Sequence, residues 1–167
     1  CRAIEIKIRN ENNVLDLENK DLQYHLGAKV GNDYKYINFG NFIVQKPENQ
    51  DVNEETTFTA FDYMCKFDID YEPQITFPAT LKQIAEDICS QCGVELGSQT
   101  FRNSNVSIPA NPFINGEQCR EVIKSIAKVS FSPAYIWQDN KLYFGFTPKT
   151  SVDEAITIDN YFEMKPN

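Results

Sequence analysis

The sequence predicts an α+β protein in which an antiparallel β-barrel or sandwich precedes a small unit of two helices packed on a β-hairpin. Three observations predict this class. Apolar and polar residues alternate with period two through the first third of the chain. From Leu81 onward the apolar spacing changes to three and four residues, the helical period, and a strand–turn–strand pattern follows the helices.

The first part shows five runs typical of strands. Ile4, Ile6 and Ile8 alternate with charged residues, which places three branched side chains on one sheet face. Turn residues separate the runs, most clearly at Gly31-Asn32-Asp33, and a polar loop is predicted from Lys46 to about Glu55. The predicted strands are Ile4–Ile8, Leu22–Val30, Tyr34–Phe39, Phe42–Val44 (after an interruption at Gly40) and Thr56–Phe61.

Two amphipathic helices are predicted next. The first begins after Thr80, which forms a capping-box pattern with Gln83, and ends at Gly93. The second opens at Asn115 or Gly116. A hairpin from 134 to 146, turned at Asp139-Asn140, offers the apolar surface on which both helices pack. The helix positions predicted to be buried are Leu81, Ile84, Ala85, Ile88, Cys89 and Cys92, then Cys119, Val122, Ile123, Ile126 and Ala127.

Composition excludes several function classes. The chain has 167 residues and a formal net charge of -8, with pI about 4.7. A nucleic-acid reader needs clustered Lys and Arg, so sequence-specific nucleic-acid binding is not expected. No apolar run approaches the roughly 20 residues of a membrane helix, and no leader peptide is visible. The first residue is Cys1 rather than Met, which favours a domain of a longer polypeptide.

The five cysteines and the single histidine are candidates for chemistry. Cys89 and Cys92 form a C-x-x-C pattern, but both lie at the end of the first helix, where the dipole does not favour a thiolate. Zinc would need two further ligands. We therefore expect free thiols that pack in the core, as at Cys119, and we expect neither metal nor cofactor. His25 lies in a predicted strand, although a nucleophilic pair with Cys65 or Cys119 is arithmetically open.

Carboxylate pairs are the remaining catalytic candidates. Glu86-Asp87 and Glu117/Glu121 are predicted on the solvated faces of their helices. The run from Asp68 to Glu72 resembles the opening of a calcium loop, but Pro73 replaces the glycine that such a loop requires. No catalytic or metal-binding residue is predicted from these patterns.

Negative charge is concentrated in one segment. Between Glu48 and Glu72 there are eight acids and one base, Lys66, which leaves seven net negative charges in 25 residues. A solvated loop explains this composition, and so does a surface with an electrostatic task. The acids assigned to a candidate lumen or subunit-interface surface are Glu48, Asp51, Glu54, Glu55, Asp68, Asp70 and Glu72.

The order of segments resembles a known family. The segments that carry the resemblance are Y-I-N-F-G-N-F-I-V (36–44), T-T-F-T-A-F-D-Y-M (56–64), T-F-P-A-T-L-K-Q-I-A-E-D-I-C-S-Q-C-G-V-E-L (76–96), N-P-F (111–113) and D-N-K-L-Y-F (139–144). Together they are similar to the N-terminal structural region of prophage tail-tip proteins of Gram-positive bacteria, which are related to the baseplate hub of contractile-tailed phages.

The resemblance implies a domain organisation and a role. Residues 1–75 would form a tube-type β-barrel, 76–147 an inserted α+β domain, and 148–167 a strand leading toward a following domain. The implied protein is a non-enzymatic virion component of the phage tail, made in the bacterial cytoplasm and connected with host-cell attachment. It would assemble with itself, as a trimer in the full-length protein, and with other tail proteins. Any lytic activity would lie in a downstream domain.

Two alternatives from other classes stay open at the level of sequence. One is a peptidoglycan endopeptidase or hydrolase, which would require a nucleophile and a base converging in a cleft. The other is a host-surface carbohydrate-binding module, which would require an exposed aromatic shelf such as Tyr34, Tyr36 or Trp137.

Overall fold

The structure is a computed structural model that describes residues 1–10, 15–45, 48–50 (backbone only), 55–113 and 116–145. It confirms the α+β class. The helices are α1 (Leu81–Gln91) and α2 (Cys119–Val129), and a 3-10 helix spans Tyr63–Phe67. The strands are β1 (Ala3–Arg9), β2 (Asp21–Val30), β3 (Asp33–Val44), β4 (Glu48–Gln50), β5 (Glu55–Asp62), β6 (Ala79–Thr80), β7 (Ser107–Ile108), β8 (Ala134–Ile136) and β9 (Leu142–Phe144).

An antiparallel sheet occupies the first part of the chain. Its strand order is β1-β5-β3-β2, and β4 pairs with the start of β5. Among the described strands the sheet is open, with β1 and β2 at its edges, rather than a closed barrel. The predicted loop from Lys46 to Glu55 is wrong at 48–50, because the backbone there forms β4, which pairs with β5 as the end of β3 does.

The predicted interruption at Gly40 is a β-bulge within one continuous strand. Gln23 pairs with Asn41 and His25 with Asn38, so two residues of β3 oppose one residue of β2. Gly40 has φ +96°, a backbone conformation that favours glycine. The extra residue changes the alternation of β3: Phe39 packs against the core before the bulge, and Phe42 and Val44 are buried after it.

Two clusters of buried side chains stabilise the chain. The smaller one belongs to the sheet and contains Phe42, Val44, Phe58 and Ala60. Ile4, Ile6 and Ile8 pack against it, which confirms the predicted apolar face of β1. The larger cluster joins α1, α2 and the β8–β9 hairpin, and it also receives side chains from the 3-10 helix. The boundary predicted between residues 75 and 76 stays a prediction.

The two helices differ in how well their starts were predicted. Thr80 and Gln83 form the predicted capping box on α1, and Gly93 follows its last turn with φ +62°. The predicted start of α2 is wrong: Gly116 precedes the helix, which begins at Cys119, and Asn115 lies outside the described residues. Backbone pairing of 117–119 with 69–71 holds this segment extended, so the helix can begin only afterwards.

The hairpin turn is confirmed, since Asn140 has φ +64° and its N–H donates to the carbonyl of Trp137. Phe146 and the strand predicted around Ile156 and Ile158 lie outside the described residues. Within the described ranges, no helix combines the length and apolar character needed to cross a membrane.

Candidate interaction surfaces

The cysteines of the two helices lie in the core, as predicted. Cys89, Cys92 and Cys119 are between 0% and 8% exposed. Burial raises the pKa of all three thiols, and that of Cys89 rises to about 12. A thiol that stays protonated is a poor nucleophile. In the part of the chain that the structure describes, no three His, Cys, Asp or Glu side chains are grouped to hold a metal ion.

His25 lies on β2, opposite Asn38, and its side chain is exposed. The strand position is as predicted, but no described residue forms a hydrogen bond with the imidazole. Cys119, one of the two thiols that could have formed a nucleophilic pair, is fully buried in the larger cluster. The structure therefore does not bring this pair together in an accessible cleft.

Asp87 corrects the prediction for the acidic pair on α1. Glu86 is exposed as expected, whereas Asp87 is only 8% exposed. Its Oδ2 accepts hydrogen bonds from the Tyr71 hydroxyl (2.8 Å), the Gln74 N–H (3.1 Å) and the Gln91 side-chain amide (3.1 Å). Burial and the hydrogen bond to Asp87 raise the pKa of the Tyr71 phenol. Sequence periodicity missed this residue because its partners include a segment outside the helix.

Tertiary contacts partly neutralise the acidic segment. Glu55 pairs with Lys7 (2.6 Å), and buried Asp62 accepts hydrogen bonds from the backbone N–H and Nε of Arg2. Asp68 is bound by the Arg120 guanidinium. All three bases come from distant parts of the sequence, so a count along the segment overstates its local charge.

Two exposed acids of this segment lie close in sequence to one exposed apolar side chain. Asp70 and Glu72 carry no ion pair among the described residues, and Ile69 between the flanking acids is 46% exposed. The segment is fixed in place because the Cys119 N–H donates to the Ile69 carbonyl (2.8 Å). We refer to Ile69, Asp70 and Glu72 as the acidic edge. Glu48 has only its backbone described, and Asp51 and Glu54 lie outside the described residues.

The hairpin turn of the α+β part contacts the sheet at the bulge. The Asn41 N–H donates to Asn140 Oδ1 at 2.7 Å. A Cβ placed on Gly40 would lie 3.1 Å from the same oxygen and 3.3 Å from the Gln138 carbonyl. The close approach therefore uses both the bulge and the absence of a side chain at Gly40.

A cavity of about 220 Å³ lies beside this contact, between the start of β1 and the β8 strand. Arg2 and Asp62 form one wall, and Tyr135 to Trp137 form the other. The Arg2 guanidinium also lies 5.5 Å from the centre of the Phe42 ring. These contacts connect the sheet with the α+β part rather than forming a convergent catalytic site.

The outer half of the β2–β3 hairpin carries five of the ten exposed large hydrophobic side chains of the described residues. We call residues 26–37 the arm. On one face Leu26, Val30 and Ile37 are 50–55% exposed, and on the other Tyr34 and Tyr36 are 62% and 67% exposed. Among the described strands, only β2 pairs with the part of β3 in the arm, because β5 reaches no farther than Phe42.

The two tyrosines of the arm form an ordered pair. Their ring centres are 6.4 Å apart with an angle of 27° between the planes. Tyr36 covers Gly27 on the opposing strand so closely that a Cβ there would lie 2.7 Å from its ring. Trp137, the third aromatic residue of the predicted shelf, instead packs against Tyr135 in a T-shaped contact.

The architecture defines an open antiparallel sheet joined to a two-helix and hairpin unit, and this arrangement occurs in a solved structure. The chain is similar to the crystal structure of the prophage MuSo2 43 kDa tail protein from Shewanella oneidensis, with TM-score 0.55 and 16% sequence identity. The match covers 90% of this chain and 48% of that protein, so the chain spans about half its length. At this identity the likeness shows a shared fold. No protein-family model and no curated protein sequence matches the chain.

Proposed function

We propose that this chain is a non-enzymatic structural component of a phage or prophage tail tip or baseplate hub, which assembles into a ring at the end of the tail tube. The observation that carries the proposal is the fold shared with a prophage tail protein over 90% of the chain. The resemblance of segments such as 36–44 and 76–96 to tail-tip proteins is a feature of the sequence alone, and it supports the same class. The partners are further copies of the chain, as a trimer in the full-length protein, and other tail proteins.

The chemistry of the described residues supports a structural role over the hydrolase alternative. The helical thiols are buried and protonated, and His25 is exposed on a strand rather than directed into a cleft. Asp87 Oδ2 accepts three hydrogen bonds from its own fold. These bonds join α1 to the segment that precedes it, which is a structural use of the carboxylate.

The acidic segment has one of two places in the proposed ring. Negative charge that faces the lumen would keep DNA from adhering during passage, whereas negative charge at a subunit boundary would select a basic partner surface. Glu55 and Asp68 are already paired within the chain. Asp70 and Glu72 have no basic partner within the described ranges, and we assign these two to the subunit boundary.

The stacked tyrosines of the arm favour one second candidate, a carbohydrate-binding module of the host surface. Exposed aromatic rings at such an angle offer a platform for a sugar ring. A sugar platform accounts for one face of the arm only. It gives no role to Leu26, Val30 and Ile37 on the opposite face, so we rank it second.

The proposed function is tested on phage particles produced by the host that encodes the full-length protein. Antibodies raised against the 167-residue chain are expected to label one end of the tail by immunogold electron microscopy, and deletion of the gene should leave particles without complete tails. Antibody adsorbed with the purified chain is the control for labelling. Absence of the protein from purified particles, or normal tails after deletion, would overturn the proposal.

A further inference from the structure

We propose that the arm of one copy of this chain docks on the acidic edge of a second copy. The inference rests on the proposed function, because it specifies how neighbouring subunits of the ring would recognise each other. The arm is the outer half of the β2–β3 hairpin, residues 26–37, and the acidic edge consists of Ile69, Asp70 and Glu72.

The first argument is that the arm lacks the packing that a β-ribbon requires. A two-stranded hairpin is marginally stable in water unless a further strand, helix or surface covers it. Single exposed apolar side chains are ordinary, but here they are contiguous and occupy both faces. Leu26 opposes Ile37 on one face, and Tyr34 stacks with Tyr36 on the other. A surface that contacts both faces would bury them together.

The second argument is charge complementarity. Lys29 and Lys35 are exposed on opposite faces of the arm, and neither forms an ion pair with any described residue. Asp33 is the only acid within the arm, which leaves the arm with a net positive charge on a chain whose total is -8. An apolar surface that carries unpaired lysines is complementary to an apolar surface that carries unpaired acids.

The acidic edge has the composition that the arm requires. Ile69 is 46% exposed, and the carboxylates of Asp70 and Glu72 have no basic partner in the described part of the chain. Its backbone is fixed by pairing with 117–119, so the surface exists before docking. A preformed acceptor loses little conformational entropy when it binds.

The arrangement of the two surfaces favours a second copy over another kind of partner. The arm belongs to the sheet, whereas the acidic edge flanks Tyr71 of the larger cluster, and both are exposed in the same chain. Docking of one on the other is therefore a head-to-tail contact, the type that closes into a ring when the rotation between subunits permits it.

A charge-exchange experiment tests the inference with the 167-residue chain. One variant reverses the arm (Lys29→Glu with Lys35→Glu) and the other reverses the edge (Asp70→Lys with Glu72→Lys). From the net charge of -8, four units of change give -12 and -4, so both variants remain negative overall. Attraction between them must therefore come from local charges. Lys124→Glu with Lys128→Glu on α2 is a control with the same net charge as the arm variant.

Sedimentation equilibrium over a concentration series measures the result. We expect the unmodified chain and the α2 control to self-associate, more weakly as salt is added. Each reversed variant alone should associate about tenfold less tightly or worse, and an equimolar mixture of the two should recover association. Leu26→Ser with Ile37→Ser should also weaken association without changing the circular dichroism spectrum, since both side chains are half-exposed in one copy.

Two results would overturn the inference. The unmodified chain could remain monomeric at the highest concentration, or the mixture could associate no better than its components. The double variant Tyr34→Ser and Tyr36→Ser could lose polysaccharide binding while its self-association stays unchanged. That result would show that the arm binds carbohydrate rather than a second copy. Gold labelling at the tail tip despite a monomeric chain would reject the arm contact alone and leave the proposed function standing.

Discussion

Two antiparallel hairpins of the described residues, β8–β9 and the arm, have opposite surroundings. In the β8–β9 hairpin, Ile136, Leu142 and Phe144 are at most 5% exposed because the helical part of the larger cluster covers them. In the arm, apolar residues of the same kinds are at least half exposed. Alternation therefore identifies a strand and its faces, but the elements packed above decide whether a face contributes to stability or is available to a partner.

The two hairpins should differ most in the free energy of unfolding that is lost when one apolar side chain is truncated. Leu142 is fully buried, so Leu142→Ala should destabilise the chain by about 2–5 kcal/mol. Ile37→Ala in the arm should change stability by less than about 1 kcal/mol, because the side chain is already 55% exposed. Urea unfolding at a concentration where the chain is monomeric measures both. Equal losses would contradict the division into covered and bare hairpins.

Asp87 tests whether the polar network beneath α1 contributes to the covered part. Asp87→Ala leaves the Tyr71 hydroxyl and the Gln74 N–H without their acceptor, and we expect a loss of about 1–3 kcal/mol. Glu86→Ala, one residue earlier and exposed, is the matched control and should lie within about 0.5 kcal/mol of the unmodified chain. Similar losses for both would mean that burial of Asp87 has no energetic consequence.

Gly40 tests the contact that joins the β8–β9 hairpin to the sheet. Gly40→Ala and Gly31→Ala both place a Cβ at positive φ, with strain of roughly 1–2 kcal/mol. Only the Cβ at Gly40 meets neighbours, at 3.1 Å and 3.3 Å, whereas nothing lies within 4 Å at Gly31 in the arm. We therefore expect Gly40→Ala to lose about 1 kcal/mol more. If the two variants have indistinguishable midpoints in thermal or urea unfolding, the close approach at Gly40 does not affect stability.

The helix caps give a smaller effect. Thr80 accepts a hydrogen bond from the Gln83 N–H, so Thr80→Ala should destabilise α1 by about 1 kcal/mol. Gln118 at the start of α2 makes no side-chain capping bond, and Gln118→Ala should leave stability within about 0.5 kcal/mol. A larger loss at Gln118 than at Thr80, measured by urea unfolding, would contradict the assignment of the caps.

Thiol reactivity tests the burial of the larger cluster by a measurement other than stability. Since burial raises the pKa of Cys89 to about 12, the thiolate fraction at pH 8 is roughly one in ten thousand. A disulfide reagent at pH 8 should modify exposed Cys1 quickly and leave the thiols of Cys89, Cys92 and Cys119 unmodified in the folded chain. All five cysteines should react in denaturant. Rapid modification of a helical cysteine under native conditions would show that the larger cluster opens.

The parts of the fold that were predicted correctly depend on neighbours in sequence. Each of these parts involves residues only a few positions apart. They are the capping box of α1, the apolar stripes that contain Cys89 on α1 and Cys119 on α2, and the hairpin turn at Asn140. The start of α2 was predicted wrongly because pairing of 117–119 with 69–71 competes with helix formation. No local pattern reports a backbone partner nearly fifty residues away.

The acidic segment shows the same limit for a candidate site. Its composition was evident, but Lys7, Arg2 and Arg120 lie outside it and neutralise Glu55, Asp62 and Asp68. Asp70 and Glu72, which have no basic partner among the described residues, and the adjacent Ile69 could be recognised only after these partners were known. Alternation likewise predicts the arm as two ordinary strands, because it does not reveal that no third strand of the described residues pairs with them.

The sequence by itself determined the α+β class, the period of the main elements, the capping box of α1, the hairpin turn at Asn140 and the apolar character of the helical cysteine positions. These features follow from backbone dihedral preferences and side-chain periodicity over a few residues. The tertiary structure alone decided that Asp87 is buried, that most described acids of the charged segment are paired and that the arm is bare. Burial and charge pairing depend on which distant surfaces meet in space, and that information is distributed over the whole chain.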